Sequence, residues 1–338
     1  MKVLFSAPAG VGHCLPLVPL AWAMRTAGHD VVLATTGRGA AGLDAVLSCG
    51  LPVVDVAPSA DVDRVFGRFT SDPGFRATTR QARSPGDLAF AATVFAELAA
   101  LMRDGLLAFA QTWGPDVVVH TPLDGAGPLV AAKLDVPAVQ HGMSFAETTR
   151  TGFLIASAMG ESWRPPVLSL DVTPPSLRLA EGLGRSMRYV PPSGGRMPVL
   201  DDRPRIALTF GTVLPSLPQL DFGDYEVVIA GTQTAAGART LGWVPLGSLL
   251  ARCSAVIHHG GAGTTLTALA LGVPQLLLPQ GADHFVNASA VVRSGAGVVG
   301  GDVSAVLEPQ VREAAARVAQ EIASLPPPSS FVSTVEEL

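Results

Sequence analysis

The chain has 338 residues, 48% of them hydrophobic and 15% charged, with a formal net charge of −5. That balance argues against disorder and leaves no basic footprint for nucleic acid, and the length suits two domains better than one core. No apolar run in the sequence reaches membrane-spanning length, so no membrane span is expected, and three widely spaced cysteines (Cys14, Cys49, Cys253) fit a reducing cytoplasm better than a disulfide framework.

Lys2 to Ser6 forms a short apolar strand, followed by the glycine-rich turn "APAGVGHCLP". Leu17, Leu20, Ala21 and Met24 then fall on one face of a helix that Gly28 ends. "HDVVLAT" is a second strand with the continuous apolar pattern of a sheet buried on both faces, and "LPVVDV" is a third. "PDVVVHT" and "VPAVQHG" repeat the pattern around the helix "GAGPLVAAKL". Strand, helix, strand in this order packs as a right-handed parallel crossover. From Trp163 to Arg205 prolines interrupt everything, and no helix or strand of length is expected there beyond one extended crossing at "SMRYVP". Alternation resumes with "RIALTFG", "EVVIAG", "RTLGWVP", "SAVIHHGG" and "VPQLLLP", and 309–323 reads as a helix. The fold class is therefore α/β, with two Rossmann-like parallel-sheet domains. The expected boundaries are 1–185 for the first, 186–204 for a linker, 205–323 for the second, and 324–338 for a segment returning to the first.

"SAVIHHGGAGTTLTALALGVPQLLLP" is the strongest local signal. A strand runs into a turn with glycines at 260, 261 and 263, and a helix is expected to begin near Thr264 or Thr265. Such a turn lets a ligand approach the backbone, and the helix terminus presents free N–H groups to an anion. A dinucleotide-binding dehydrogenase fits poorly. Gly10 and Gly12 are present, but Leu15 stands where the third glycine of its fingerprint belongs, and Asp30 opens the second strand instead of closing it.

Three stretches, "VLFSAPAGVGHCLPLVPLAWAMRTAGHDVVLAT", "GWVPLGSLL" and "VIHHGGAGTTLTALALGVPQLLLPQGADHFVNA", stand in the order of a known family. The sequence resembles the bacterial natural-product glycosyltransferases of the GT-B fold, in which two such domains face a cleft, and most of all those that decorate polyketides and enediynes. The resemblance implies an inverting, metal-independent, hexosyltransferase-type enzyme with no cofactor. Its partners would be a nucleotide-sugar donor, most readily a TDP-sugar, a hydrophobic aglycone acceptor and a second copy in a homodimer.

The same resemblance implies the roles of single residues. Trp243 would stack on the nucleotide base, with the backbone at Val244 reading the base edge. His259 and the turn Gly261, Gly263, Thr264 and Thr265 would hold the diphosphate, while His258 is strand packing. Asp283 and His284 would contact sugar hydroxyls, although many relatives carry Gln in place of His284. His13 would be the catalytic base, since imidazole suits proton removal near neutrality, with His120 or Asp124 orienting it. No metal motif is present, and the helix terminus would stabilise the leaving diphosphate. Residues 58–90 and 140–165, with Phe66, Phe69, Phe75, Phe90, Met143, Phe145 and Trp163, would build an apolar acceptor side.

The second domain departs from the family in being short. "TVLPSLPQLDFGDY" and "GTQTAAGARTLGW" stand where crossover helices are expected; either those helices are lost or the sequence runs on across omitted stretches, and omission is the expectation, since a lost helix would uncover one sheet face. Two other readings remain: a catalytically silent auxiliary partner of a transferase, against which His13, Trp243, His259 and Asp283 all count, and a sugar-nucleotide epimerase, which would need carboxylates where His13 stands.

Overall fold

The computed structural model describes residues 1–37, 43–145, 150–179, 184–192, 194–210 and 220–338. The first half runs β1 (Lys2–Ser6), α1 (Val11–Cys14), α2 (Val18–Thr26), β2 (Asp30–Thr35), α3 (Leu43–Ser48), β3 (Val53–Asp55), α4 (Val62–Ser71), α5 (Pro73–Gln81) and α6 (Ala91–Trp113). It continues through β4 (Val117–His120), α7 (Ala126–Leu134), β5 (Ala138–His141), α8 (Thr151–Ala158), β6 (Leu168–Asp171) and β7 (Arg185–Ser186). The second half runs β8 (Arg205–Thr209), β9 (Glu226–Ala230), β10 (Ala238–Gly242), α9 (Leu246–Leu250), β11 (Ala255–His258), α10 (Ala262–Leu271) and β12 (Gln275–Leu277). After these come α11 (His284–Ser294), β13 (Gly297–Val299), α12 (Val303–Val306), α13 (Pro309–Ser324) and α14 (Val332–Glu336).

Two sheets result, ordered β3-β2-β1-β4-β5-β6-β7 and β10-β9-β8-β11-β12-β13, and the named strands pair in parallel throughout. Each is doubly wound. The chain leaves the central strand in one direction, then returns to its other side, and the crevice beyond the carboxyl ends at that reversal is where such folds bind ligands. The reversal lies between β1 and β4 in the first sheet and between β8 and β11 in the second.

The sequence reading left β13 and several short helices unassigned, and three further elements differ from it. β6 and β7 form in the proline-rich region and extend the first sheet at its edge, where prolines flanking a short strand disturb no inner ladder. α6, which the sequence reading left unassigned, is long and apolar enough to cross a membrane. Its face of Ala99, Met102, Leu106 and Ala110 instead packs into the core beside Leu4, Val118 and Val130. Gly105 lets this helix approach β3, since a Cβ there would lie 1.8 Å from the Val56 carbonyl oxygen.

The short second domain is closed without a helix between β9 and β10. The connection 231–237 has seven residues, and seven extended residues reach about 24 Å, enough to run back along a five-residue strand. Most of the longer connection, 211–219, lies outside the described residues. Leu220, Phe222 and Tyr225 at its end cover one sheet face together with Val303, Val306 and Val311. On the other face, Met197 and Leu200 pack beside Leu249 and Leu250. The chain then returns to the first sheet: Phe331 and Val335 are buried in the cluster that holds Val3, Leu20 and Val31.

Candidate active site

His13 lies in α1, directly beyond the end of β1. Gly10, at φ 129°, caps that turn, and a Cβ there would stand 3.2 Å from the His13 ring. The imidazole meets the Phe95 ring edge-on at 5.0 Å, and burial lowers its pKa from 6.5 to about 4. It is therefore a neutral imidazole at pH 7, with a buried Nδ1 that has no hydrogen-bond partner among the described residues.

β4 ends beside it. His120 is buried, and its Nδ1 lies 2.9 Å from the Thr121 carbonyl, which can only accept, so the proton sits on Nδ1 and Nε2 is bare. Burial lowers the His120 pKa, against the pull of the nearby Asp124 carboxylate. Asp124 caps α7, its Oδ1 accepting from the N–H groups of Ala126 and Gly127 at 2.9 and 3.2 Å. Asp124 Oδ2, His120 Nε2 and Ser6 Oγ are buried without hydrogen-bond partners among the described residues, as His13 Nδ1 is. Neither His120 nor Asp124 hydrogen-bonds to His13; the structure places them together with Ser6 around Gly127.

The aromatic residues expected on the acceptor side divide. Phe66, Phe69 and Phe75 pack in the cluster that contains Phe95, and Phe75 stands 5.2 Å from Phe69 and from Phe90. Asp61 and Asp72 cap α4 and α5, the helices that carry Phe66, Phe69 and Phe75, accepting from the Arg64 and Phe75 amides at 2.9 and 2.6 Å. Phe145 instead lies in the main core, Met143 is buried, and Trp163 covers Gly152 on α8. Residues 146–149 of that expected surface lie outside the described residues.

In the second sheet, His258 and His259 end β11. α10 begins at Ala262, two residues earlier than expected, because Gly261 already serves as its N-cap. Thr265 is fully buried and its hydroxyl donates to the Gly261 carbonyl at 3.0 Å, which removes it as a ligand group; Thr264 keeps part of its surface. The first amides of α10 remain free for an anion. His259 is 8% exposed, with its ring 4.5 Å from that of His284. Burial, and then His284, lower its pKa to about 4, while Asp283 opposes the shift. Gly261 leaves room for this ring, since a Cβ there would lie 2.6 Å from His259 Nε2. His284 Nδ1 accepts the Gln280 amide at 3.4 Å. Burial raises the Asp283 pKa, and hydrogen bonds from Asn287 and Ser144 hold it down.

Trp243 follows β10 with more than half of its surface exposed, so its indole is open to a ligand. Val244 turns inward into the core. The two halves meet at this end of the sheets. Arg83 stacks on Phe285 at 3.9 Å, Gly281 packs on Thr79, and Tyr189 hydrogen-bonds the Gly263 carbonyl and the Thr267 hydroxyl at 3.2 and 3.1 Å. Among the described residues no three His, Cys, Asp or Glu side chains come together as a metal site.

Two doubly wound sheets that meet at their carboxyl ends, one carrying a neutral histidine and the other a glycine-rich turn that opens a helix, define the GT-B class. Residues 22–205 match the N-terminal domain and residues 223–338 the C-terminal domain of the erythromycin biosynthesis protein CIII-like family, and the chain belongs to that family of bacterial natural-product glycosyltransferases. It is 37% identical to the elloramycin glycosyltransferase ElmGT of Streptomyces olivaceus, over 98% of this chain and 96% of that one. Among solved structures it resembles the glycosyltransferase SnogD from Streptomyces nogalater, with 34% identity, a TM-score of 0.79 and coverage of 100% and 99%. It also resembles the Streptomyces sp. SF2575 glycosyltransferase SsfS6 complexed with thymidine diphosphate, with 31% identity, a TM-score of 0.82 and full coverage of both chains.

Proposed function

We propose that this glycosyltransferase moves a deoxysugar from a TDP-sugar to a hydroxyl of a flat, hydrophobic aglycone, with inversion and without a divalent cation. The observation that carries the reading is the pairing of two neutral, cleft-side histidines, His13 beyond β1 and His259 beyond β11, each at the reversal point of its sheet. The thymidine diphosphate held by SsfS6 and the elloramycin glycosyltransferase ElmGT support the donor and the acceptor class.

In this scheme His13 takes the proton of the acceptor hydroxyl. That oxygen attacks the anomeric carbon, and the sugar–phosphate bond breaks with its electron pair leaving on the diphosphate. The free amides of α10 and His259 stabilise the departing charge, a fixed-dipole effect that works best in a site closed to water. Trp243 covers the base, and Asp283 and His284 contact the sugar. His120 and Asp124 bias the His13 imidazole through the group of buried polar atoms they share with Ser6. The Phe66, Phe69, Phe75 and Phe90 rings receive the aglycone. The three cysteines are free thiols, in keeping with a cytoplasmic location. The silent-partner and epimerase readings both lack support, since the family relatives are transferases and the Asp124 carboxylate serves to cap α7.

The test is thermal stabilisation by TDP, with UDP and GDP beside it, for wild type and His259→Ala. TDP stabilises the wild type by mass action, and the variant loses most of that shift. An equal shift in both proteins would remove the diphosphate from His259. His13→Ala should lose roughly 10²–10⁴-fold in kcat while TDP still binds, and a chelator should leave transfer intact.

A further inference from the structure

We infer that His258, Gln275 and Asn287 form a positioning network that locks the Gly260 peptide and so fixes both the diphosphate turn and Asp283. The inference rests on the donor-site reading above and adds three residues, none of which touches the donor.

The network is built from hydrogen bonds with only one consistent direction. Gly260 stands at φ 95°, and its N–H donates to His258 Nδ1 at 3.1 Å. An amide N–H can only donate, so Nδ1 must be bare and the proton must sit on Nε2. Nε2–H then donates to Gln275 Oε1 at 2.9 Å, which leaves the Gln275 amide nitrogen directed at the Thr265 carbonyl, 3.4 Å away. On the other side of the same peptide unit's residue, Asn287 Nδ2 donates to the Gly260 carbonyl at 2.8 Å and to Asp283 Oδ2 at 2.8 Å. His258, Gln275 and Asn287 are each 0% exposed, so none of these bonds competes with water.

The consequence is geometric. Gly260 is held at its N–H from β11 and at its carbonyl from α11. His259 precedes it and the N-cap of α10 follows it, so the orientation of both diphosphate-facing groups depends on this one residue. Asn287 extends the restraint to Asp283, on the sugar side. A close packing contact completes the hold, because a Cβ on Gly260 would lie 3.0 Å from the His284 carbonyl oxygen. The first of the two adjacent histidines therefore sets the position in which the second meets its ligand.

The experiment uses the full chain with TDP as the probe, and reads Kd by calorimetry at a temperature where circular dichroism shows each variant folded. His258→Leu fills the space but offers neither acceptor nor donor. His258→Asn restores an acceptor close to the Nδ1 position. His258→Leu should weaken TDP binding roughly tenfold or more, the scale of losing the orientation that one or two buried hydrogen bonds secure. His258→Asn should recover most of that loss, which a purely structural role would not show. The ¹⁵N shifts of His258 should show a bare Nδ1 and a protonated Nε2. If His258→Leu does not fold, Asn287→Ser releases the carbonyl side and carries the same expectation. A folded His258→Leu or Asn287→Ser that binds TDP as tightly as wild type overturns the network while leaving the donor site in place. Failure of wild type to bind TDP overturns both.

Discussion

Lowering the pH should destabilise this protein well above the range in which its carboxylates titrate. His141 and His258 are 1% and 0% exposed, and burial holds them at about 4 and about 3, against 6.5 in an unfolded chain. A depressed folded pKa means that the unfolded state takes up the proton first, so stability is full above pH 6.5 and falls as the pH drops toward the folded value. At pH 5.5 each of the two contributes a loss of about 1.4 kcal/mol, or about 3 kcal/mol together. His13, His259 and His284, also held at about 4, add to this with smaller weight because they border the cleft. Against a total stability of about 5–15 kcal/mol the sum is large. Asp87, Asp104 and Asp201 have lowered pKa values and act only below their ordinary 3.8, while the raised pKa of Asp283 works in the opposite sense above it. The fall in stability between pH 6.5 and 5 comes from the histidines. Urea unfolding followed by circular dichroism at pH 7.5, 6.5, 5.5 and 5.0 measures the slope, and His258→Asn should reduce it by close to one proton. A stability that stays flat from pH 7 to 5 would refute the reasoning.

Gly261→Ala places a methyl group 2.6 Å from His259 Nε2 at a backbone conformation any residue tolerates, so the ring must shift. TDP affinity should fall roughly tenfold, on the scale of one lost charge-assisted hydrogen bond, with the melting temperature nearly unchanged; unchanged affinity would mean that the ring moves freely. Gly105→Ala drives a Cβ into the Val56 carbonyl at 1.8 Å, which only backbone movement of α6 or β3 relieves. It should cost about 1–3 kcal/mol or more despite alanine's better helix propensity, read as a lower urea midpoint. Gly127→Ala brings a Cβ to 2.5 Å from Asp124 Oδ2 and 3.1 Å from His120 Cβ. If those two residues bias His13, kcat should fall while TDP affinity holds, and a normal kcat in a folded variant would detach them from the base.

Much of the architecture was legible because buried parallel strands write themselves as continuous apolar runs, as "KVLFS", "VVLAT", "VVVH" and "AVIH" do, each closed by glycine, proline or a polar turn. The donor turn was legible for a local reason: its glycines and histidines are contiguous, so spacing along the chain is also spacing in the site. Elements held by distant partners were not legible. β6 forms because a neighbouring strand completes its hydrogen bonds among prolines, and the alanine-rich α6 gains its face only when β4 and α7 lie beneath it. The direction of Thr265 was likewise undecidable from sequence, since the same hydroxyl serves a ligand or its own helix according to where the N-cap falls. The tertiary structure alone decided that His13 rests on Phe95, that His120 and Asp124 stand with Ser6 instead of bonding to His13, and that Gln275 holds a histidine 17 residues away and Asn287 a glycine 27 residues away. A hydrogen bond depends on separation in space, and among residues so far apart in the chain only the order of strands in the sheet sets that separation.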